Sequence, residues 1–123
     1  VYEYAARLTR IVDADTWILD IDLGMHVWQH GVRIRAAGLN APELSTPEGQ
    51  QARAWVGAWF AKHAPDCIMT VRTQKDRADN YGRLLGTITA PDGACLNTDI
   101  LAAGQAVLYP RAAADGAKEP TGA

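Results

Sequence analysis

A mainly β fold, a barrel carrying helical decoration, is what this sequence predicts, and three observations predict it. The stretch from Thr16 to Leu23 alternates apolar and polar residues with the two-residue period of a half-buried strand. A single strong helical pattern begins at Thr46 and separates three strand-like segments from two later ones. A short second helix follows the last of these. Three strands, a helix, two strands and a short helix is the order of a five-stranded OB barrel with its helix between strands three and four.

Taken in order, Tyr2 to Val12 mixes apolar residues with Arg7, Thr9 and Arg10 and reads as a half-exposed strand. Asp13-Ala14-Asp15 is turn-like. Trp17, Leu19, Ile21 and Leu23 then point one way, with Thr16, Ile18, Asp20 and Asp22 on the other face. Gly24 breaks the pattern, and a third strand is expected from about Gly31 to Ala37. Thr46 can cap a helix whose first residue is Pro47, and Glu48 suits its positive end. Ala52, Trp55, Val56, Trp59 and Phe60 form one apolar stripe, and Pro65 ends the helix. Strands are expected at about Cys67 to Thr73 and Leu84 to Thr89. Asn97 is expected to cap the short helix, with Gly104 in the left-handed position at its end. Residues 1–110 form one domain in this reading, and 111–123 a loose tail rich in Ala, Gly and Pro.

With 123 residues the chain is one domain's worth, and 48% hydrophobic with 21% charged residues is ordinary globular composition. No apolar run approaches the roughly 18 residues of a membrane span, so no membrane partner is expected. The opening residues alternate like a strand rather than forming a signal peptide, which favours a cytoplasmic location over a secreted one. Two cysteines, Cys67 and Cys95, lack metal-ligand spacing and are expected to stay reduced. The net charge of -2 excludes a binder that works by bulk phosphate neutralisation. Phosphate recognition here has to be local and geometric. Nine of the twelve basic residues are arginine, whose planar fork matches phosphate oxygens, although a GC-rich genome, which also raises alanine, accounts for the same bias.

Four clusters combine acidic, arginine and turn residues: Asp13-Ala14-Asp15-Thr16, Arg33-Ile34-Arg35, Asn40-Ala41-Pro42-Glu43 and Asp79-Asn80-Tyr81-Gly82-Arg83. Each lies at a strand end or in the loop after it, where binding residues gather. Singly, each has an ordinary structural explanation. Together and in this order, with Leu96-Asn97 and the Gly104 to Tyr109 stretch, they resemble the staphylococcal nuclease family of thermonuclease-like domains over about Arg7 to Pro110.

That resemblance implies the same OB barrel and cleavage of phosphodiester bonds in DNA or RNA with one Ca²⁺. Asp15 matches a carboxylate metal ligand, Asn40 falls where a second carboxylate is usual, and Ala41 matches a residue that offers its backbone carbonyl. Glu43 matches the general base for the attacking water. Arg35 and Arg83 match the arginines that grip the scissile phosphate, and Tyr81 and Tyr109 match groups that contact the nucleotide. The set is chemically coherent, because Ca²⁺ takes oxygen ligands and charge-assisted donors stabilise charge developing on a phosphate.

Two departures from the family pattern stand out. Asn40 removes one formal charge from the metal site, so weaker Ca²⁺ binding is expected, with Asp13 and Glu43 assisting through nearby charge or bridging water. Ala14 replaces the usual glycine of the first turn, where a positive φ would be costly. His26 and His30 lie in a strand-and-turn region and are not expected to bind metal. Trp28, near the hairpin, is expected to pack rather than to stack on a base. Alongside a monomeric nuclease, two readings stay open: a non-catalytic nucleic-acid-binding module and a protein-interaction domain on the same barrel.

Overall fold

The structure is a computed structural model and describes residues 2–75 and 84–108. Its elements are β1 (Tyr2–Asp13), β2 (Thr16–Gly24), β3 (Val27–Ala36), β4 (Leu39–Asn40), α1 (Pro47–His63), β5 (Ile68–Lys75), β6 (Leu84–Thr89), α2 (Leu96–Ala102) and β7 (Val107–Leu108). Five strands close into a barrel in the order β1-β2-β3-β6-β5, and β5 pairs back onto β1. Every pairing is antiparallel except the seam between β3 and β6, where Ile34, Arg35 and Ala36 run parallel to Leu84, Leu85 and Gly86. With α1 between the third and fourth barrel strands and α2 after the fifth, this is the OB barrel the sequence predicts. The two-residue strands β4 and β7 pair with each other outside it.

Alternation builds the core. Trp17, Leu19 and Ile21 of β2 are buried, as are Ile34 and Ala36 of β3, Met69 and Val71 of β5, and Ile88 of β6. Leu23, at the end of β2, is exposed instead, because the strand there runs out into the hairpin. Helix α1 starts as expected: Thr46 is extended at φ -96°, its hydroxyl accepts from the Gly49 N–H at 3.0 Å, and Pro47 opens the first turn. It ends at His63, since Ala64 precedes Pro65 and is pushed out of the helical region. Ala52, Val56, Trp59 and Phe60 are buried, and the Trp59 indole N–H donates to Asp99 Oδ2 at 2.8 Å, joining α1 to α2.

Three local expectations need correction. Strand β3 begins at Val27, not near Gly31, because the β2–β3 loop is only two residues long. Met25 and His26 both take positive φ (56° and 61°) to make that turn. Neither is the glycine or asparagine such turns prefer, so the turn stores strain. The pairing shifts register between Leu19 and Ile21, where β3 carries an extra residue, and this bulge hides the strand's alternation. The N-cap of α2 is Cys95, not Asn97. Asn97 is instead buried: its Oδ1 accepts from the Ile88 N–H, and its Nδ2 donates to the carbonyls of Ala37 and Gly86. Finally, Ala14 is fully buried and does not adopt positive φ, so the cost expected of it does not arise.

Gly104 behaves as predicted, with φ 75°. The N–H groups of Gly104 and Gln105 donate to the carbonyls of Leu101 and Ile100, the paired hydrogen bonds of a Schellman ending. Both cysteines carry free thiols. Among the described residues, no helix is long and apolar enough to cross a membrane.

Candidate nuclease site

Two loops and a strand end meet beside the β3–β6 seam. The turn between β1 and β2 carries Asp15, and its carbonyl accepts from the Ala36 N–H at 2.8 Å, which ties the turn to the end of β3. That places Arg35, register partner of Thr16, next to it. From the other side comes β4, held in place by its pairing with β7, with Asn40 opposite Val107. The Ala41 N–H donates to Asp15 Oδ2 at 3.0 Å, and the same oxygen lies 3.7 Å from Arg35 Nη2. Arg35 Nη2 also donates to Asn40 Oδ1. Asp15, Arg35, Asn40 and Ala41 therefore form one interlocked cluster. The side chains of Arg35 and Asp15 retain only 16% and 13% exposure, enough shielding from water to strengthen each contact.

Asp13 belongs to the same corner, and the sequence gives it only a supporting role. Its Oδ1 is buried and has no hydrogen-bond partner among the described residues. Burial, and then the neighbouring Asp15 carboxyl, push its pKa up to about 6. An orphaned carboxylate oxygen beside a second carboxylate is a place for a proton or a cation. The donors are all hard oxygens, the chemistry Ca²⁺ prefers, so the residues present fit that ion.

The sign of the Asp13 shift gives a test. The folded chain holds this proton more tightly than an unfolded chain with its ordinary value of 3.8. Stability in chelator therefore falls as pH rises between about 4 and about 6, and the full penalty persists above that. Asp13→Asn removes the charge. Its thermal midpoint should exceed that of the wild type at pH 7.5, with the gap closing by about pH 4. An unchanged or lower midpoint at pH 7.5 would mean that Asp13 is not an unfavourable charge.

Glu43 does not join the cluster in the same way. Its side chain is exposed and makes no hydrogen bond with a described residue. Its backbone, however, is fixed. The Glu43 carbonyl accepts from both the hydroxyl and the N–H of Thr46, at 2.7 and 3.0 Å. Gly49 packs so close that a Cβ there would lie 1.8 Å from that oxygen. The start of α1 thus sets where Glu43 leaves the chain, two residues after Ala41. The loop is anchored, and the carboxylate stands free at its surface.

Tyr81, Arg83 and Tyr109 lie outside the described residues. His26 and His30 take no part: His30 Nδ1 pairs with Asp20 Oδ2 at 3.0 Å across the hairpin, and His26 sits in the turn. Among the described residues, no group of three or more His, Cys, Asp or Glu side chains is close enough to hold a metal by itself. A bound ion would have to draw on Asn40 and on backbone carbonyls as well.

Comparison with known proteins agrees with this architecture. A family model described as staphylococcal nuclease homologue matches residues 33–121, the greater part of the chain. The chain belongs to the staphylococcal nuclease homologue family. The staphylococcal nuclease homologue match begins at Arg33 in β3 and spans Arg35, Asn40, Ala41 and Glu43. Two curated relatives, each an uncharacterized endonuclease, from Escherichia coli O157:H7 and from Escherichia coli, are 31% identical over 104 residues. That alignment covers 84% of this chain and 60% of each relative. Protein ParB of Escherichia coli is 32% identical over 87 residues, covering 70% of this chain and 42% of ParB. The chain thus spans about 60% of the length of the two endonuclease relatives and 42% of ParB.

Proposed function

We propose that this staphylococcal nuclease homologue hydrolyses phosphodiester bonds of DNA or RNA, with Ca²⁺ as its cofactor. The observation that carries the reading is the cluster of Arg35 with Asp15, Asn40 and Ala41, built at strand ends in a chain of a nuclease family. Asp15, the Asn40 amide oxygen and the Ala41 carbonyl would hold the ion, with Asp13 beside them. When bound, Ca²⁺ supplies positive charge against the phosphoryl oxygens and makes a nearby water more acidic. Arg35 donates its guanidinium to a phosphate oxygen and strengthens that contact as charge develops during attack. Arg83 supplies the second arm, and Tyr81 and Tyr109 contact the nucleotide. Glu43, free at the loop surface, accepts the proton of the attacking water.

A non-catalytic binding module on the same barrel has one feature in its favour. Arg35 is already satisfied by Asn40 and Asp15 within the protein. A cleavage assay decides between the two. Plasmid DNA and single-stranded RNA are incubated with the protein in Ca²⁺ or in chelator. Glu43→Gln controls for contaminating nucleases. The nuclease reading expects cleavage in Ca²⁺ only, lowered about 100-fold or more by Glu43→Gln. No cleavage of either substrate, or equal cleavage by Glu43→Gln, would overturn it.

A further inference from the structure

Past the barrel, β2 and β3 continue as a two-stranded arm. The last rung between β1 and β2 joins Ala6 to Ile21, and β6 meets β3 only from Ile34 onward. Among the described residues, the outer ends of β2 and β3 pair only with each other, through Asp22–Trp28 and Gly24–Val27, with Met25 and His26 as the turn. The arm is braced from within. Asp20 accepts from the Gly31 N–H at 3.0 Å and pairs with His30, and Asp22 accepts from the Gly24 N–H at 2.8 Å. That bracing holds Met25 and His26 in their strained left-handed conformation.

The tip of this arm is apolar where a solvent-facing turn is ordinarily polar. Nine large hydrophobic side chains are exposed among the described residues, and four of them, Leu23, Met25, Val27 and Trp28, fall within these six positions. Met25, in the turn itself, is 92% exposed. Glycine or asparagine would make the turn at lower cost, but neither would put an apolar group at its apex. A cluster of this kind marks a contact surface. A stable protein interface takes about 20–30 residues from each partner, far more than the tip offers. The apolar groups also come from both strands and the apex, not from one flat face. A medium that surrounds the tip covers them better than a partner that docks on one side.

Polarity changes in layers along the arm. Two rungs back from the apex, about 7 Å, the Trp28 indole carries the exposed Arg7 guanidinium over its ring, 5.6 Å from the centroid. Asp22 lies at the same level and Asp20 at the next. Apolar groups, then an indole with a cation, then carboxylates is the order met at a lipid surface. There Trp and Arg gather among the headgroups, and apolar side chains go about 5–10 Å deeper. We propose that the β2–β3 tip anchors the protein to a zwitterionic phospholipid surface. Leu23, Met25 and Val27 enter the boundary of the acyl chains, Trp28 lies among the headgroups, and Arg7 donates to a lipid phosphate. The Gly24–Val27 rung and the Asp22 bond to Gly24 satisfy backbone groups that lose water. Asp22 and the polar His26 keep the insertion shallow, since charge is costly below the headgroups. With these carboxylates and a net charge of -2, anionic lipid offers no advantage. The anchor lies on the bilayer and does not span it. The Thr16–Arg35 pair is six residue steps along β2 from the Asp22–Trp28 pair, about 20 Å, so the candidate site stays in water.

Flotation of the whole 123-residue chain with phosphatidylcholine vesicles tests the anchor. The wild type should float, and its partitioning should change by less than about two-fold between about 50 mM and about 500 mM salt, because apolar burial is not screened. Met25→Asp should weaken partitioning by about ten-fold or more, and Met25→Leu should retain it. Both variants should melt like the wild type, since the Met25 side chain stands in solvent. Lipid brominated near the headgroups should quench wild-type fluorescence, and Trp28→Phe should lose most of that quenching, because Trp17 and Trp59 are buried in the core. No flotation of the wild type, Met25→Asp partitioning within about two-fold of it, or binding confined to anionic vesicles would overturn the anchor. So would a wild-type dimer in light scattering that Met25→Asp abolishes, since a second copy would then cover the tip. Cleavage plays no part in these readouts, so the anchor and the nuclease reading stand or fall separately.

Discussion

Arg35→Lys should lower Ca²⁺-supported cleavage by about 100-fold or more while leaving the barrel folded. Arg35 is mostly buried and serves two carboxamide or carboxylate oxygens, Asn40 Oδ1 and Asp15 Oδ2, from one terminal nitrogen. A guanidinium has further N–H groups in the same plane, so it can keep a protein contact while turning another edge to phosphate. Lysine offers one charged point on a flexible stem and has to choose between them. The folding cost is small, about 1 kcal/mol for a hydrogen bond exchanged rather than left unmade. The measurement is kcat/KM on a labelled oligonucleotide, with thermal melting in parallel. A lysine variant with nearly full activity would show that Arg35 does not clamp the phosphate. The same expectation extends to Arg83→Lys through the family resemblance.

Asn40→Asp should tighten Ca²⁺ binding by about ten-fold, because a full negative charge replaces a neutral amide oxygen among the ion's ligands. The backbone should not move: residue 40 is fixed by its strand pairing with Val107, and the two side chains are nearly isosteric. Cleavage should rise most at limiting Ca²⁺ and less at saturation. In chelator the variant should behave differently. A third carboxylate would join Asp13 and Asp15, relieved in part by Arg35, so the metal-free protein should melt lower and gain more from added Ca²⁺. Calorimetric titration of both proteins is the direct check. Equal affinities, or tighter binding by the wild type, would mean that residue 40 does not face the ion.

Periodic features of this fold could be read from sequence, and features made by a single tertiary contact could not. Thr46-Pro47-Glu48 announces α1 because capping chemistry is local, and Leu84 to Thr89 reads correctly because a short apolar run between turns has few alternatives. The first half of β3 is hidden by polar residues and a bulge, both of which erase the period of two. Asn97 shows why a polar residue at a helix start is ambiguous. Capping a helix and clasping three backbone groups in a core demand the same side-chain chemistry, and only the tertiary structure separates them. Strands β4 and β7 are too short to have a period at all. At the site, the resemblance singles out Asp15, Arg35, Asn40, Ala41, Glu43, Arg83, Tyr81 and Tyr109; the first four meet in one cluster, the Glu43 carboxylate stands apart from it, and the last three lie outside the described residues. What it could not supply is that Arg35 and Asn40 bind each other, or that Asp13 is left with an orphaned oxygen.

The parallel seam carries a consequence for how the chain reaches its native state. Residues 34–36 and 84–86 are fifty positions apart, yet their few rungs alone complete the barrel's circumference on that side. Hairpins β1–β2–β3 can form from neighbouring sequence, but closure has to wait until β6 arrives, at the entropic cost of a long loop. The Asn97 amide then bolts Ala37, Gly86 and Ile88 together from α2, an element later still. During synthesis, the strand bearing Arg35 is therefore complete well before the residues that shut the barrel beside it leave the ribosome. Until then β3 presents an open edge, and the nascent chain depends on its bulge and its exposed charges to keep that edge from pairing with another copy.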